Sequence, residues 1–113
     1  MIHVFLDDVR YCPTGFAHAR TADECRLLID LEEIDILSLD YDLGWGEPSG
    51  LEVVRHIVRT GRYPRRIFFH TSSPSGKTAM REMLAANAPA DVRLFDGPMP
   101  AALLEAIASG STK

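Results

Sequence analysis

The stretch Ile36-Leu37-Ser38-Leu39-Asp40-Tyr41-Asp42-Leu43-Gly44 is a short apolar run that stops at an aspartate, gives a second aspartate two residues later and turns at a glycine. An apolar run of this length, bounded by polar residues and glycine, is typical of a fully buried strand. In an open α/β sheet, ligands bind beyond the carboxyl ends of such strands. We therefore expect Asp40 and Asp42 to lie at the mouth of a crevice.

Two further segments have the same pattern, in which an apolar run ends in polar side chains. His3-Val4-Phe5-Leu6 runs into Asp7-Asp8, and Ile67-Phe68-Phe69 runs into His70-Thr71-Ser72. If the three runs are parallel strands of one sheet, their carboxyl ends lie at the same edge. The sequence therefore predicts one polar pocket built from three strand ends.

Length and charge limit the classes of function. A chain of 113 residues can form one hydrophobic core, so we expect a single domain over residues 1–108 and a flexible tail over residues 109–113. The net charge is −4, and Arg65-Arg66 is the only adjacent basic pair. Binding to a nucleic-acid polymer requires neutralisation of many phosphates, and this composition does not favour it. A small phosphorylated ligand needs only a few arginines and fits the sequence.

Cysteine use and hydropathy indicate the compartment. The chain shows no signal peptide and no apolar run long enough to span a bilayer, so we expect no membrane association. Cys12 and Cys25 lack metal-binding spacing, and we expect both thiols to be reduced in the cytoplasm. Cys25 is expected to pack in a helix as a small apolar residue, and Cys12 to lie in a loop.

Strand and helix patterns alternate along the chain, as a doubly wound α/β fold requires. The connection after the first strand is too short for a helical crossover, so the first helix should be reduced or absent. Thr21 and Glu24 form a capping box for the next helix, in which Leu27, Leu28 and Leu31 should face the core. The alternation predicts a doubly wound α/β domain with five strands. The predicted strands are residues 2–6, 16–20, 36–39, 66–69 and 91–95, and the predicted helices are residues 21–33, 51–60, a segment starting at 74, and 101–108.

The strongest chemical signal is the set of four aspartates Asp7, Asp8, Asp40 and Asp42 at neighbouring strand ends. Carboxylates this close repel one another, so either some pKa values rise or a divalent cation neutralises them. Hard oxygen ligands suit Mg²⁺, and Mn²⁺ is the alternative. The competing interpretation is that each aspartate is a turn or cap residue.

His70 is the predicted acid/base group, because an imidazole exchanges protons near neutral pH. Thr71 and Ser72 offer hydroxyls beside a helix N-terminus, which is a natural anion site. Arg10 could close on an anion from its loop. The alternatives are a half-buried structural histidine, N-capping hydroxyls and a solvated surface arginine. Trp45 could stack on a base or cover the edge of the core, and the sequence does not choose between these roles.

The frame of Phe5-Leu6-Asp7-Asp8, Leu39-Asp40, Gly50-Leu51 and Thr71 resembles a response-regulator receiver domain. This resemblance implies that Asp40 accepts a phosphoryl group, that Asp7 and Asp8 bind Mg²⁺, and that Thr71 is the switch hydroxyl. The chain departs from that family in three ways. It has no lysine between Val92 and Pro98, it lacks the first helix, and it lacks the usual proline in the loop after Asp40.

A divergent branch, the cyclic-phosphate processing receiver family, is a closer resemblance. It is carried by Leu6-Asp7-Asp8-Val9-Arg10, by residues 38–44 and by His70-Thr71-Ser72-Ser73-Pro74-Ser75-Gly76. This chain has Ser73 where that family is expected to have asparagine. The resemblance implies that the domain processes a cyclic phosphate. With it, we predict a flavodoxin-like fold with a five-stranded parallel sheet of order 2-1-3-4-5 and the first helix reduced or absent.

The leading hypothesis is therefore a metal-assisted phosphoesterase. Its catalytic residues would be His70, Asp40 and Asp42, its phosphate-binding residues Arg10, Thr71 and Ser72, and its metal ligands Asp7, Asp8 and Asp40. The first alternative is a signalling receiver that is phosphorylated at Asp40 and binds a protein partner. The second is a phosphate-independent pseudo-receiver that only mediates interactions.

Overall fold

The computed structural model describes residues 1–110. This part of the chain forms five strands and four helices in an alternating order. The strands are β1 (Ile2–Leu6), β2 (Ala17–Ala19), β3 (Ile34–Leu39), β4 (Arg66–Phe69) and β5 (Arg93–Phe95), and the helices are α1 (Ala22–Leu31), α2 (Gly50–Thr60), α3 (Pro74–Asn87) and α4 (Ala101–Ala108).

The strands form one sheet of order β2-β1-β3-β4-β5, and every neighbouring pair is parallel. This order confirms the predicted flavodoxin-like fold. Leu6 of β1 is in register with Leu39 of β3, which in turn is in register with Phe69 of β4. The polar residues that follow these three positions therefore begin at the same level of the sheet edge.

Side chains alternate between the two faces of the sheet, and the two faces are covered unequally. On one face, Val4, Leu37 and Ile67 pack in a large cluster with buried residues of α1, α2 and α3. On the other face, Phe5 and Phe68 pack in a small cluster with Ile107 and partly buried residues of α4. Residues 7–16 contain no helix, as predicted, so a loop connects β1 to β2.

Local capping interactions explain where the helices begin and end. The Thr21 hydroxyl accepts from the Glu24 amide at 3.1 Å, as predicted, but the Glu24 carboxylate accepts from the Arg20 amide at 2.7 Å rather than from Thr21. Ser73 caps α3 by accepting from the Gly76 amide at 3.1 Å. Gly61 ends α2 in the left-handed conformation, with φ of 73°, which favours glycine.

The predicted apolar stripe of α1 is correct only in part. Leu28 packs against the core as predicted, but Leu27 and Leu31 are exposed. The fully buried residues of the helix are Ala22, Cys25 and Ile29. Cys25 is fully buried, as expected for a small apolar residue.

Several element boundaries differ from those predicted. Strand β3 begins two residues earlier, at Ile34, and β5 begins two residues later, at Arg93. Of the predicted tail, Ser109 and Gly110 donate backbone hydrogen bonds to Glu105 and Ile107, and residues 111–113 lie outside the described residues. Within residues 1–110, no helix combines the length and the apolar character that a bilayer crossing requires.

Candidate functional site

The alternation of side chains along the strands brings three polar residues to one place. Asp7 lies two residues after Phe5, Asp40 two after Ser38, and His70 two after Phe68. Because residues two apart share a face, all three extend from the sheet face that packs against α4. One side-chain atom from each of Asp7, Asp40 and His70 lies within 4.8 Å of the others. We call these three residues the strand-end cluster.

Asp7 is fully buried and accepts four hydrogen bonds. Its Oδ1 atom accepts from the amides of Val9 at 2.9 Å and Arg10 at 2.8 Å. Its Oδ2 atom accepts from Arg10 Nη1 at 3.0 Å and contacts His70 Nε2 at 2.9 Å. Burial alone would raise the pKa of Asp7, but these donors outweigh burial and lower it. Asp7 is therefore ionised at neutral pH.

The hydrogen bonds of His70 define its protonation state. Because Asp7 is ionised, His70 Nε2 must donate to it, and Nδ1 then accepts from the Ser38 hydroxyl at 2.7 Å. The ring also stacks on Phe5 with a centroid distance of 4.5 Å and an angle of 7°. Burial lowers the pKa of His70 against the opposing effect of Asp7. The imidazole is therefore neutral, and both of its nitrogens are engaged.

Ser38 is a site residue that the sequence analysis did not select. It is fully buried within β3, between Leu37 and Leu39. The available signal was its position two residues before Asp40, which places it on the same face as that aspartate. A fully buried hydroxyl needs a partner, and here that partner is His70.

Asp40 differs from Asp7 because it lacks a full set of donors. Its Oδ1 atom accepts from the Tyr41 amide at 2.8 Å, and its carboxylate also accepts from the Thr71 hydroxyl. Burial raises the pKa of Asp40, and the negative charge of Asp7 raises it further against these hydrogen bonds. Asp40 is therefore the carboxylate that a further cation would stabilise most.

The guanidinium of Arg10 lies over the strand-end cluster. Its Nη1 atom is 3.0 Å from Asp7 Oδ2, 3.2 Å from the carbonyl oxygen of His70 and 4.0 Å from Asp40 Oδ2. The Arg10 side chain is 46% exposed, so one side of it faces solvent. The sequence analysis predicted an anion-binding role for Arg10, and the structure shows its contacts with the carboxylates.

Beside Arg10 lies an open cleft of about 650 Å³. The lining residues are Asp8, Val9, Arg10, Asp40, Asp42, Gly44, Trp45, Gly46 and Ser72. Asp8 and Asp42 thus share the cleft with Asp40, although they lie outside the strand-end cluster. Asp42 is exposed, and its Oδ1 atom accepts from the Gly44 amide at 3.1 Å, which is a turn-forming interaction.

Two aromatic residues near the site are exposed. Trp45 lines the cleft and is fully exposed, so it does not cover the edge of the core. Tyr11 is also fully exposed, in the loop that follows Arg10. These positions leave both rings free to contact a bound molecule.

Two glycines allow the backbone around Asp40 to pack closely. A Cβ atom on Gly50 would lie 2.0 Å from the carbonyl oxygen of Asp40, and one on Gly76 would lie 2.3 Å from the Tyr41 ring. The Gly50 amide also donates to the Tyr41 carbonyl at 2.8 Å. The N-termini of α2 and α3 therefore hold the segment at the end of β3 in place.

The chemistry of the donors fits a divalent cation such as Mg²⁺ or Mn²⁺. Asp8 and Asp40 line the same cleft, and burial raises the pKa of Asp40, so a cation beside it would stabilise its charged form. Arg10 Nη1, itself part of a cation, already lies among three oxygen atoms. Carboxylate and carbonyl oxygens are the ligands that these ions prefer.

Comparison with known proteins agrees with this geometry. The family model for the cyclic-phosphate processing receiver domain matches residues 2–86, which include the strand-end cluster, Arg10, the whole cleft lining and Ser38. No curated protein and no solved structure gives a significant match. Because the family model matches well over half of the chain, this chain belongs to the cyclic-phosphate processing receiver domain family.

Proposed function

We propose that this domain hydrolyses a cyclic phosphate to a phosphomonoester with the help of a divalent cation. The observation that carries the proposal is Asp40, a buried carboxylate with a raised pKa that opens into a polar cleft beside an arginine. A bound divalent cation stabilises the charged form of a buried carboxylate whose pKa is raised, so Asp40 is the expected metal ligand beside the phosphate.

Asp7, Asp8 and Asp40 would hold Mg²⁺ or Mn²⁺, with Asp7 contributing its Oδ2 atom. When bound, the ion would neutralise charge on the phosphate and polarise the phosphorus–oxygen bonds. Through its other hydrogen bonds Asp7 also positions the Arg10 backbone and His70. Arg10, Thr71 and Ser72 would bind phosphate oxygens, because Arg10 and Ser72 line the cleft and Thr71 contacts Asp40.

Hydrolysis requires one proton to move while one phosphorus–oxygen bond forms and another breaks. The water oxygen attacks phosphorus, and the proton that the water loses passes to Asp42, a carboxylate that lines the cleft and is not one of the proposed metal ligands. The bond between phosphorus and one ring oxygen breaks, and that oxygen takes the proton from Asp42. The product is an open phosphomonoester with a free hydroxyl.

The hydrogen bonds of His70 suggest a different role from the acid/base role predicted from sequence. A neutral imidazole whose Nε2 proton is bound by Asp7 is a weak acid, and its Nδ1 lone pair is occupied by Ser38. We therefore propose that His70 is a positioning residue that fixes Asp7. His70→Asn should reduce turnover less than Asp40→Asn does.

The proposal is tested by ³¹P NMR of the protein with Mg²⁺ or Mn²⁺ and separate cyclic phosphates. We expect a phosphomonoester signal from at least one compound, with a rate that falls about 100-fold or more in Asp40→Asn. Asp91→Asn is the matched control, because Asp91 is exposed and lies apart from the cleft. No reaction in any tube, or full activity in Asp40→Asn, would contradict the proposal.

A parallel tube with acetyl phosphate tests the signalling alternative, in which Asp40 is phosphorylated and a protein partner reads the change. Response-regulator receivers resemble this chain but place a lysine beside the phosphoryl group. The lysine of α3, Lys77, instead donates a hydrogen bond to the carbonyl oxygen of Asp96 at 3.0 Å, which counts against the signalling alternative. Stable labelling that disappears in Asp40→Asn would favour the signalling function.

A further inference from the structure

A single nitrogen of Arg10 lies among oxygen atoms from three strand ends. Nη1 is 3.0 Å from Asp7 Oδ2 at the end of β1, 3.2 Å from the His70 carbonyl oxygen at the end of β4, and 4.0 Å from Asp40 Oδ2 at the end of β3. Two carboxylates and one carbonyl around one point form a set of oxygen ligands for a cation. In this structure the positive charge at that point belongs to the guanidinium.

A divalent cation bound to Asp40 would lie close to this nitrogen, because both positive groups use the same carboxylate. Like charges at such a distance repel, so the ion and the guanidinium weaken each other's binding to the carboxylates. We expect Arg10 to be the group that moves away, because its guanidinium is carried by a flexible side chain.

Asp7 keeps most of its hydrogen bonds when Arg10 leaves, and the incoming cation replaces the charge of the guanidinium. If the guanidinium moves away, Asp7 still accepts from the amides of Val9 and Arg10 and from His70. The Arg10 amide stays bound, so the side chain would move about a fixed point. Nearly half of that side chain is already exposed, and it lines the cleft.

We propose that Arg10 and a divalent cation occupy this position in turn, and that the displaced guanidinium becomes a ligand of the phosphate. The inference rests on the proposed function, because it takes the metal and the phosphate from it. The ion displaces Arg10 from the carboxylates, and a phosphate in the cleft gives the guanidinium a new partner. Metal and phosphate therefore bind with positive cooperativity, each strengthening the other.

The test is a titration with Mn²⁺ followed by the EPR signal of the free ion, with and without inorganic phosphate. For the native protein we expect phosphate to tighten Mn²⁺ binding about 10-fold, within the usual range of coupling between two ligands. Arg10→Gln removes the competing charge, so it should bind Mn²⁺ about 10-fold more tightly than the native protein without phosphate. In that variant phosphate should tighten Mn²⁺ binding less than it does in the native protein, because only the direct attraction between the ion and the phosphate remains.

Two further variants make the result specific. Arg55→Gln removes the same charge from α2, where the side chain is 52% exposed and pairs with Glu52, so its Mn²⁺ affinity should match that of the native protein. Arg10→Lys keeps a positive charge at the site, so it should retain weak Mn²⁺ binding and its enhancement by phosphate. Titrations of Mn²⁺ with phosphate alone correct for binding between the two ions in solution.

The outcomes separate this inference from the proposed function. Equal Mn²⁺ affinity in Arg10→Gln and Arg55→Gln, or native affinity that phosphate does not change, would overturn the exchange and leave the proposed metal site standing. Absence of Mn²⁺ binding in every variant, with and without phosphate, would overturn both. Tight binding in Arg10→Gln together with phosphate coupling in the native protein supports the exchange.

Discussion

Ser38 shows how one buried hydroxyl can determine the chemistry of a site. Its hydroxyl donates a hydrogen bond to Nδ1 of His70, so the only proton of the ring lies on Nε2, which faces Asp7. Asp7 in turn fixes the amide and the guanidinium of Arg10. Four residues from separate parts of the chain are thus connected through hydrogen bonds of ordinary length.

Replacing Ser38 should reveal this connection. Ser38→Ala leaves Nδ1 of His70 buried without its partner, so we expect a loss of about 1–3 kcal/mol in the free energy of unfolding. ¹⁵N NMR of the imidazole should show the Nε2-protonated tautomer in the native protein at pH 7. Urea denaturation measures the stability. Unchanged stability, or an Nδ1-protonated ring in the native protein, would contradict the hydrogen-bond assignment.

Single residues in the sequence predicted the site only in part. Asp7, Asp40 and His70 could be placed together because each follows an apolar strand. Ser38 was missed because a lone serine inside a strand gives no sign of what it contacts. Asp42 shares the cleft as expected, but its turn-forming bond to Gly44 depends on loop conformation, which the residue pattern does not specify.

Among the elements, α2 determines where Asp40 lies. Its first residue, Gly50, approaches the end of β3 so closely that a methyl group would lie 2.0 Å from the Asp40 carbonyl oxygen and 3.1 Å from Met80 Sδ. The carbonyl oxygen of Asp40 belongs to the backbone, so it cannot rotate away from the added methyl group. The start of α2 must therefore shift before any larger residue fits.

Gly50→Ala should consequently destabilise the protein and disturb the site. We expect a loss of about 3 kcal/mol or slightly more, at the upper end of the usual cost of overpacking. Gly97→Ala is the matched control, because a Cβ atom there meets nothing within 4 Å, and its effect should stay within about 0.5 kcal/mol. Thermal unfolding of both variants measures the difference. Equal melting temperatures would show that the contact between α2 and β3 is looser than described.

Helix α1 shows why packing of an element is harder to predict than its existence. Its capping residue was identified correctly, because Thr21 is a local signal. Its buried face was identified only in part, because Leu28 packs against the core whereas Leu27 and Leu31 are exposed and Ile29 is buried instead. The choice among these residues depends on which of them fit against the sheet, and that is a property of the tertiary structure.

At the scale of the whole molecule, the two faces of the sheet are covered unequally. Helices α1, α2 and α3 pack on one face, and α4 alone covers the other. A loop takes the place of a helix between β1 and β2, and a cavity of about 320 Å³ lies there, lined in part by Phe5, Tyr11 and Leu104. The missing helix could be predicted, because connection length is encoded locally, and the strand order was predicted with the help of the family resemblance. The cavity could not, because it depends on how distant segments meet.

The thinly covered face also carries His3 and His70, which should make stability depend on pH. His3 lies against Phe16 with a centroid distance of 5.3 Å, and its buried Nδ1 atom has no hydrogen-bond partner within residues 1–110. Burial lowers the pKa of both histidines below the ordinary value of 6.5. The unfolded chain therefore binds more protons than the folded protein just below that pH, and stability must fall as the pH falls.

We expect the free energy of unfolding to be highest above about pH 7 and to decrease between about pH 6.5 and 5.5, by at most about 1.4 kcal/mol per pH unit for each histidine. Asp7, whose pKa is lowered, adds a further loss near and below its ordinary value of 3.8, and Asp40, whose pKa is raised, partly offsets it. Urea denaturation at pH 7.5, 6.5 and 5.5 measures the slope. His3→Phe keeps a ring beside Phe16 but removes the unpartnered nitrogen, so the variant should lose less stability over this range than the native protein. A slope that is the same in both proteins would assign the effect to His70 alone, and stability that rises on acidification would contradict the burial of both histidines.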